Sequence, residues 1–431
     1  MIYLKKILFF LFRVFTKYNL TYGMFLVCLI LTKRLSGKRK YRILVLSKSI
    51  FLDDVLEINK NSSELQFLLF PRLLISEIVK KYTHDFDLLN DSTYYPILNG
   101  TKEQKKIFIL TNKLFILLKR YLKFDAIFAG NYVYVSQQEF FSSANQNNVP
   151  VIILYKEGIG ASVKYSEEIS KKMYKGKIFK ANFIMFYNNA VREMLLKGNI
   201  PGLDFSKTEV VGMPRLDIYF NEKKIKEEDN FILLFSFDPN IKANRFVDDK
   251  NLIKDYIKLG EQFHFIFIKY CIENPNYKLV IKTKSDPGSK LFINDLLKKM
   301  SIKKLPENIK VISKGNPREL IYSARYVAGS LSTSLIESII LDKPIICPNF
   351  RNLIKIGRLG FFDDYPNSVN YINSIDELSD LMSGKKQLNM VDKISKKSIL
   401  EPILYKTDGK SSIRVKNKII NIIKQNKNGI K

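Results

Sequence analysis

Residues 325–350, RYVAGSLSTSLIESIILDKPIICPNF, contain the pattern that decides the fold class. Tyr326 to Ala328 predict a short buried strand, and the small, polar residues 329–334 predict the turn that follows it. Leu335 to Leu341 predict a helix, and Ile345 to Cys347 predict the next strand. A strand, a helix and a second strand in this order form a βαβ unit, so the sequence predicts an α/β fold with a parallel sheet.

The turn of this βαβ unit carries the residues that we expect to bind a nucleotide. A helix N-terminus has free backbone N–H groups and the positive end of the helix dipole, which together stabilise an anion such as a diphosphate. Glu337, in the first helical turn, is placed to accept hydrogen bonds from a ribose diol. The alternative is structural, because Ser334 and Glu337 also have the spacing of a capping box. Small hydroxyl side chains in the turn add donors: Ser330, Ser332, Thr333 and Ser334.

A second motif is Gly212-Met213-Pro214-Arg215-Leu216-Asp217. It follows a predicted strand at Val210-Val211, so it lies at the carboxyl edge of the first predicted sheet, where ligands bind in open α/β folds. We expect Arg215 to act in catalysis by offering a bidentate fork to a phosphate or carboxylate. The alternative is an ion pair of Arg215 with Asp217 or with the interdomain linker, which would only stabilise the turn.

A third candidate is Glu157, which follows the predicted strand Val149 to Leu154. A carboxylate at the carboxyl end of a strand can be the general base that deprotonates an acceptor hydroxyl. Gly158 would leave room for that acceptor, and Asn131, at the end of a neighbouring strand, would orient it. The alternative is a solvated turn glutamate paired with Lys156.

Residues 325–350 and 212–217, with the sequence DGKSSIR at 408–414, resemble motifs of GT-B glycosyltransferases. The resemblance is to the bacterial surface-polysaccharide branch, which includes CDP-glycerol glycerophosphotransferases and capsule polysaccharide transferases, and it extends from about Val149 onward. It implies two Rossmann-type domains facing a cleft, a nucleotide-sugar or CDP-polyol donor as substrate, and a polysaccharide or lipid-linked acceptor. It also implies a reaction that needs neither a metal nor a separate cofactor.

One position departs from this branch. Its members have a His-Pro pair after the second strand of the C-terminal domain, where this chain has Lys282-Thr283-Lys284. Lys282 and Lys284 would neutralise a donor phosphate, but a lysine does not replace a neutral imidazole. The departure weakens the assignment of CDP-glycerol as donor and leaves the GT-B fold class unaffected.

The charge distribution favours an anionic partner. The chain of 431 residues has a formal net charge of +29, and eleven Lys and Arg but no acid precede Asp53. Tyr18 to Thr32 is an uncharged run of 15 residues, which is short against the ~20 that span a bilayer. We therefore expect an interfacial helix or hairpin on the inner, anionic face of the cell membrane. A single-pass anchor and a buried helix pair that closes the first domain are the alternatives.

The sequence gives less support to a nucleic acid partner, a metal site or a catalytic triad. No nucleic-acid-binding signature accompanies the positive charge, so we expect no nucleic acid partner. With only two histidines, a histidine-based metal site or a Ser-His-Asp triad is disfavoured, and His264 is expected to be a packed side chain. The aspartate doublets at 53–54, 248–249 and 363–364 are interpreted as solvated loop acids.

Alternating strands and helices divide the chain into five predicted segments. These are a membrane-associating helical segment (1–36), a Rossmann-like acceptor domain (37–220), a linker (221–230), a Rossmann-like donor domain (231–405) and a basic C-terminal helix that packs back (406–431). The predicted strands include Ala126 to Ala129, Lys278 to Lys282 and Ile309 to Ile312.

Three functions agree with these patterns. The first is a cell-envelope transferase that moves a sugar or polyol phosphate from a nucleotide donor to an acceptor. The second is a nucleotide-sugar 2-epimerase with the same twin-Rossmann architecture, against which the basic, apolar N-terminus argues. The third is a non-catalytic scaffold of polysaccharide assembly, which the missing His-Pro pair keeps open.

Overall fold

The structure is a computed structural model, and it describes residues 2–46, 49–83, 86–157, 167–221, 228–246, 250–284, 287–330, 332–350, 362 and 366–429. The chain divides into two compact units: unit 1 consists of Met1–Ile218 and Ile403–Lys431, and unit 2 of Tyr219–Pro402. Residues 222–227 of the predicted linker lie outside the described residues. The domain boundaries expected from the sequence stay a prediction.

Unit 1 is built on one sheet whose strands run in the order β1-β3-β2-β4-β5-β6-β7. Strands β2 to β7 are parallel, and β1 pairs antiparallel with β3 at the edge. β4 and β5 are buried along their whole length, as expected where helices cover both faces of a parallel sheet. The strands are β1 (Lys33–Arg34), β2 (Tyr41–Leu46), β3 (Leu65–Phe70), β4 (Ala126–Ala129), β5 (Val151–Tyr155), β6 (Phe183–Phe186) and β7 (Thr208–Val210).

The longest of the first ten helices, α6, shows how local sequence sets helix ends. The Thr101 side chain accepts a hydrogen bond from the backbone N–H of Gln104, and the helix stops at Lys123, which has a left-handed φ of 52°. The helices are α1 (Ile2–Lys17), α2 (Thr21–Leu31), α3 (Ser49–Lys60), α4 (Leu73–Tyr82), α5 (Tyr94–Leu98), α6 (Lys102–Leu122), α7 (Gln138–Gln146), α8 (Glu167–Tyr174), α9 (Asn189–Lys197) and α10 (Asp217–Asn221).

Unit 2 has a parallel sheet in the order β10-β9-β8-β11-β12-β13. Its strands are β8 (Glu228–Phe235), β9 (Lys278–Lys282), β10 (Ile309–Ile312), β11 (Ala324–Gly329), β12 (Ile345–Pro348) and β13 (Asn370–Ile372). The helices are α11 (Pro239–Phe246), α12 (Lys250–Glu273), α13 (Pro287–Lys299), α14 (Pro317–Ser323), α15 (Thr333–Ile340), α16 (Ile375–Met382) and α17 (Lys393–Leu404). The last helix, α18 (Ser411–Gly429), belongs to unit 1, where it packs on α3.

Helices α1 and α2 form a hairpin that is packed into unit 1. α1 contacts α2 and α4, and α2 contacts α6. The two helices meet closely at Gly23, where a Cβ atom would lie 2.7 Å from the ring of Phe15. The structure thus supports the alternative in which a helix pair closes the first domain. The inward side chains join the hydrophobic core of the unit: Leu8, Phe12, Met24, Val27 and Cys28.

The opposite face of the hairpin is apolar and exposed. Large exposed apolar patches are uncommon on monomeric proteins and are a feature of interaction sites. Within the described ranges, the helices are either too short or too polar to cross a membrane. The side chains of this face are 51% to 81% exposed: Tyr3, Leu4, Ile7, Phe10, Tyr18, Leu20, Tyr22, Leu26 and Ile30.

Candidate functional site

The strand order of unit 2 reverses between β8 and β11, and the predicted nucleotide-binding turn lies at this point. From β8 the chain adds β9 and β10 on one side and then crosses over to add β11, β12 and β13 on the other. Ligands of open α/β sheets bind outside the carboxyl ends of the strands at such a switch point. Ser330 directly follows β11, and Ser332 directly precedes α15. The turn therefore occupies the position at which this fold binds ligands.

The N-terminus of α15 consists of three consecutive hydroxyl residues. Ser332 is the N-cap, and its Oγ accepts a hydrogen bond from the backbone N–H of Ser334 at 3.3 Å. Thr333 is exposed, whereas Ser332 and Ser334 are half-buried. The structure thus brings the predicted donor-binding hydroxyls, including Ser330, to one strand end and one helix N-terminus. Their role in donor binding stays a prediction.

Glu337 lies one turn further along α15 and contacts a tyrosine. The buried Tyr219 donates a hydrogen bond from its hydroxyl to Glu337 Oε2 at 2.6 Å. The Tyr219 ring stacks on Tyr322, with centroids 6.2 Å apart. Burial and the Glu337 charge raise the pKa of Tyr219, so the tyrosine stays a donor at neutral pH. Because Ser332 and not Ser334 is the N-cap, Glu337 lies beyond the N3 position that a capping box requires.

The two predicted donor-binding lysines lie at the carboxyl end of β9, the strand next to β8. Lys282 Nζ donates hydrogen bonds to the carbonyl oxygens of Thr283 at 2.9 Å and Ser313 at 3.0 Å. Burial lowers the pKa of Lys282. Lys284 is exposed. Both cations therefore lie beside the switch point, Lys282 held to the backbone and Lys284 open to solvent.

In unit 1, Arg215 belongs to a buried group of three polar side chains. Its Nη1 donates to Asp54 Oδ2 at 2.9 Å and to the Tyr187 hydroxyl at 2.8 Å, and its backbone N–H donates to Asp54 Oδ1 at 3.1 Å. Tyr187 in turn donates to Asp54 Oδ2 at 2.5 Å. The side chain of Asp54 is fully buried and that of Arg215 is 12% exposed. The expectation that Asp54 is a solvated loop acid is wrong, because Asp54 lies in helix α3 and neutralises Arg215.

The rest of the Gly212–Asp217 motif contacts the 408–414 motif within unit 1. Asp217 accepts hydrogen bonds from the backbone N–H groups of Ser411 at 3.0 Å and Ser412 at 2.6 Å, at the start of α18. Gly212 has a φ of +87° and approaches Ser411 so closely that a Cβ atom would overlap its Oγ. Asp217 is therefore a helix cap, and the sequence alternative that paired it with Arg215 is wrong.

Glu157 lies at the carboxyl end of β5 and has two polar partners. Its Oε1 accepts a hydrogen bond from the Tyr134 hydroxyl at 3.0 Å and pairs with the Lys156 ammonium. The Lys156 side chain is 7% exposed and that of Glu157 is 42% exposed. Burial alone lowers the pKa of Lys156, but the hydrogen bonds and charges of Glu157 and Tyr134 outweigh it and raise that pKa. Glu157 is thus oriented by two donors while part of its carboxylate reaches solvent.

A second cation, Arg72, reaches this group from the segment after β3. Its guanidinium carbon lies 4.5 Å from the centroid of the Tyr134 ring, and its Nη1 donates to the buried Ser136 Oγ at 3.0 Å. Burial lowers the pKa of Arg72, against the opposing charges of Tyr134 and Asp91. Arg72, Tyr134 and Glu157, which follow β3, β4 and β5 in the chain, therefore lie together at the carboxyl edge of the sheet.

Of the two predicted acceptor-binding residues, Asn131 and Gly158, the structure describes Asn131. Asn131 follows β4 and is buried, and its Oδ1 accepts a hydrogen bond from the backbone N–H of Val133 at 3.0 Å. This bond shapes the turn that carries Tyr134. Gly158 lies outside the described residues, as do the aspartate doublets at 248–249 and 363–364.

Sequence reasoning named Lys156 as the alternative partner of Glu157 but missed the other residues that hold the predicted catalytic side chains. Tyr187 and Lys156 each come directly after a strand, which is a usable signal for a residue at the carboxyl edge. Asp54 and Arg72 could not be found in this way, because α3 and β3 had not been assigned. Arg215 contacts Asp54 and Tyr187, whereas Glu157 contacts Tyr134 and Lys156.

No family model and no curated protein matches this sequence. Among solved structures, the chain is similar to a putative UDP-N-acetylglucosamine 2-epimerase from Listeria monocytogenes, with a TM-score of 0.51 and 11% identity, covering 90% of this chain and 98% of that one. A glycosyltransferase from Rickettsia africae has a TM-score of 0.46 and 13% identity, covering 90% and 99%. MurG from Acinetobacter baumannii has a TM-score of 0.42 and 11% identity, covering 88% and 99%.

At these identities the likeness to solved structures concerns the fold alone. The chain has the GT-B fold of two Rossmann-like units, each with a parallel sheet at its centre. The predicted fold class is therefore confirmed, including the helical N-terminal segment.

Proposed function

We propose that this protein is a GT-B-type transferase that moves a sugar or a polyol phosphate from a nucleotide donor to a surface-polysaccharide or lipid-linked acceptor. Unit 2 binds the donor and unit 1 binds the acceptor. The observation that carries the proposal is the position of the hydroxyl turn at 330–334, which combines a strand end, a helix N-terminus and the switch point of the sheet.

The donor site follows from the chemistry of that turn. The backbone N–H groups of the first turn of α15 and the hydroxyls of Ser332 and Thr333 are suited to a diphosphate. Lys284, exposed at the end of β9, adds a positive charge for the leaving diphosphate. Glu337 binds the ribose hydroxyls through its carboxylate, with Tyr219 fixing the orientation of Oε2. This arrangement neutralises the leaving group with protein charges and dipoles, so we propose that the reaction needs no metal.

In unit 1, Glu157 is the proposed general base and Arg215 the proposed contact for developing negative charge. Glu157 combines solvent exposure with two orienting donors, Lys156 and Tyr134. The guanidinium of Arg215 is positioned by Asp54, which limits its motion. A base needs a fixed position within hydrogen-bond reach of the acceptor hydroxyl, and this arrangement supplies one.

The first test is binding and turnover. Full-length protein is titrated calorimetrically with UDP, GDP, CMP and CDP derivatives, and we expect one nucleotide class to bind. The protein is then incubated with UDP-N-acetylglucosamine alone, and its products are analysed. Release of a 2-epimerised sugar would favour the epimerase, and nucleotide binding without turnover on any acceptor would favour the scaffold. No binding at millimolar concentration would reject the donor site.

We also propose that unit 1 attaches to the anionic inner face of the cell membrane through its hairpin. The exposed apolar side chains of α1 and α2 are interspersed with Lys5, Lys6 and Lys17. Each Lys or Arg near an anionic surface contributes about 1 kcal/mol, and buried apolar area adds a part that salt does not screen. Since an acceptor on a lipid carrier lies at the membrane, this attachment would bring unit 1 to its substrate.

Vesicle sedimentation tests the attachment. We expect full-length protein to pellet with vesicles that contain phosphatidylglycerol, to be partly released by high salt, and to be fully released by detergent. Substitution of Tyr3, Ile7 and Phe10 by serine should reduce pelleting while preserving the fold, because these side chains are exposed. The matched control replaces three exposed residues of unit 2, Ile241, Leu291 and Ile394. Equal loss in both variants, or a wild type that pellets with no lipid, would contradict the proposal.

A further inference from the structure

We propose that a groove beside the hairpin binds one anionic phospholipid, with an acyl chain in its apolar part and the phosphate beside Lys106 and Lys113. This inference rests on the proposed membrane attachment and adds to it a stoichiometric lipid site. The groove lies between the α1–α2 turn and α6, and neither Glu157 nor Arg215 is among its lining residues.

The apolar part of the groove has a volume of about 680 Å³, within the ~300–1,000 Å³ usual for small-molecule pockets. Its wall is made by side chains of the hairpin and of α6, and its surface is mostly carbon. Such a surface favours a hydrocarbon chain and gives a nucleotide or a free sugar few partners. The apolar lining residues are Phe15, Leu20, Tyr22, Ile116 and Leu117.

A smaller cavity of about 200 Å³ adjoins the first. The two share Asn19, Thr21 and Lys113 as lining residues, and together they make up the groove of the proposal. The smaller cavity adds Lys106 and Tyr82, together with Ile109 and Leu110. Lysine side chains therefore lie at the smaller cavity and at its junction with the larger, mostly apolar one, an arrangement that suits an anionic amphiphile.

The charges at the polar end are of one sign among the described lining residues. Lys106 and Lys113 are exposed on α6, and their spacing of seven residues puts them on one face of the helix. Both lysines act electrostatically on Tyr82. Lys81, next to Tyr82, also reaches the turn, where its Nζ donates to the Thr16 carbonyl at 2.8 Å. A phosphate diester placed here would offset this positive charge.

The α1–α2 turn is held in place, so the groove is preformed. Asn19 has a left-handed φ of 57°, which asparagine tolerates better than most residues. Its Oδ1 accepts a hydrogen bond from the Tyr82 hydroxyl at 2.8 Å and one from Lys81. A preformed site loses less conformational entropy on binding.

The mouth of the groove is continuous with the exposed apolar face of the hairpin. Leu20 and Tyr22 belong both to that face and to the groove wall, and they are 51% and 72% exposed. Ile109 and Ile116 extend the apolar surface onto α6, with 53% and 46% exposure. A lipid of the bilayer can therefore enter the groove without passing through water, which favours a membrane phospholipid as the occupant.

The test separates this site from general membrane adhesion by using a monomeric lipid in the absence of a bilayer. Full-length protein is titrated calorimetrically with dihexanoyl phosphatidylglycerol below its micelle concentration. We expect saturable binding of one lipid per chain, with the neutral phosphatidylcholine analogue about fivefold weaker. Lys113→Gln should weaken phosphatidylglycerol binding by about the same factor, and Ile116→Asn should weaken both lipids.

Two controls are matched to these variants. Lys105→Gln removes an exposed lysine of α6 that does not line the groove, and Ile30→Asn removes an exposed apolar residue of the hairpin that does not line it. Both should bind the monomeric lipid as the wild type does, whereas Ile30→Asn should reduce vesicle pelleting. Absence of saturable binding, or equal loss in test and control variants, overturns the lipid site. If vesicle pelleting persists in that case, the membrane attachment stands and only the groove is rejected. Tighter binding of a polyprenyl phosphate overturns the phospholipid assignment.

Discussion

The two sheets of this protein end in different chemistry at their carboxyl edges. In unit 2 the edge carries small hydroxyls and a helix N-terminus from the contiguous stretch 330–337, beside Lys282 and Lys284 at the end of β9. In unit 1 it carries charged and phenolic side chains that come from distant parts of the chain, such as Asp54 with Arg215 and Arg72 with Tyr134. The two units share a Rossmann-like architecture but differ in how their polar residues are brought together. The hydroxyl turn of unit 2 comes from local sequence, whereas the polar groups of unit 1 are assembled by tertiary structure.

This difference has an energetic consequence. The charges of unit 1 are largely buried and paired with each other, so removing one leaves its partner uncompensated. Apart from the buried Ser330, the hydroxyls of the 330–334 turn are half-buried or exposed and make short-range bonds, so their removal costs little stability. We therefore expect substitutions in unit 1 to act mainly on stability and those in unit 2 mainly on binding.

The largest effect is expected at Asp54. The substitution Asp54→Ala leaves the Arg215 guanidinium and the Tyr187 hydroxyl without their carboxylate partner in a buried site. Breaking a buried pair in this way should reduce the free energy of unfolding by about 3–5 kcal/mol. Urea unfolding followed by circular dichroism measures it. The neighbouring Asp53→Ala, at an exposed position, should change the free energy of unfolding by less than about 0.5 kcal/mol. Equal losses of stability in the Asp54 and Asp53 variants would contradict the role of Asp54 as the buried partner of Arg215.

The next effect is expected at Glu337. The substitution Glu337→Ala should weaken nucleotide binding by on the order of 1–3 kcal/mol, the usual cost of losing a charged hydrogen-bond partner. Calorimetric titration measures this loss, and thermal unfolding checks that the fold survives. Tyr219→Phe tests the orienting bond separately: it removes the hydroxyl bound to Oε2, keeps the ring that stacks on Tyr322, and should weaken binding less than Glu337→Ala does. A Glu337→Ala protein that melts early but binds nucleotide normally would assign this carboxylate to structure alone.

A smaller effect on stability is expected at the N-cap of α15. Ser332→Ala removes the side-chain oxygen that accepts the Ser334 backbone N–H and should cost about 1 kcal/mol of stability. Ser334→Ala keeps that backbone donor, so it should cost less. Both variants should nevertheless weaken nucleotide binding in calorimetry. If only Ser332→Ala changes binding, the turn affects binding by capping α15, and the Ser334 hydroxyl does not contribute to it.

The smallest effect is a pH dependence at Asp408. Burial alone raises the pKa of Asp408, but hydrogen bonds from Arg414 and from the Lys410 backbone N–H outweigh it, so this pKa lies below its ordinary value of 3.8. A carboxylate whose pKa is lowered in the folded state stabilises the fold above pH 3.8, and this contribution is lost as the pH falls further. Asp408→Asn should therefore cost less than about 1 kcal/mol at neutral pH. In urea unfolding at about pH 3 the cost should shrink, and a cost that grows in acid would contradict the assignment.

The elements of both sheets follow closely from local sequence. The strands expected at Ala126 to Ala129, Lys278 to Lys282 and Ile309 to Ile312 coincide with β4, β9 and β10. In each of these strands, the apolar run and the polar residues that end it lie within a few positions of each other in the chain. The local sequence pattern is therefore sufficient to identify the strand. The strand β3 was missed because LQFLLF is a short apolar run close to the helix at Leu73–Tyr82, and periodicity alone does not distinguish such a run from a buried helical segment. With β3 unassigned, Arg72 could not be placed at a strand end.

The candidate sites also differ in whether local sequence or only the tertiary structure reveals them. The sequence determined the hydroxyl turn at 330–334 and its place at a helix N-terminus, because strand, turn and helix are consecutive in the chain. Only the tertiary structure revealed that Arg215 is held by Asp54, 161 residues away, and that Asp217 caps a helix at Ser412, 195 residues away. It also revealed which face of the hairpin is exposed. Such pairs depend on how the strands are ordered in space, and that order is set by packing of the whole unit rather than by the residues next to each partner.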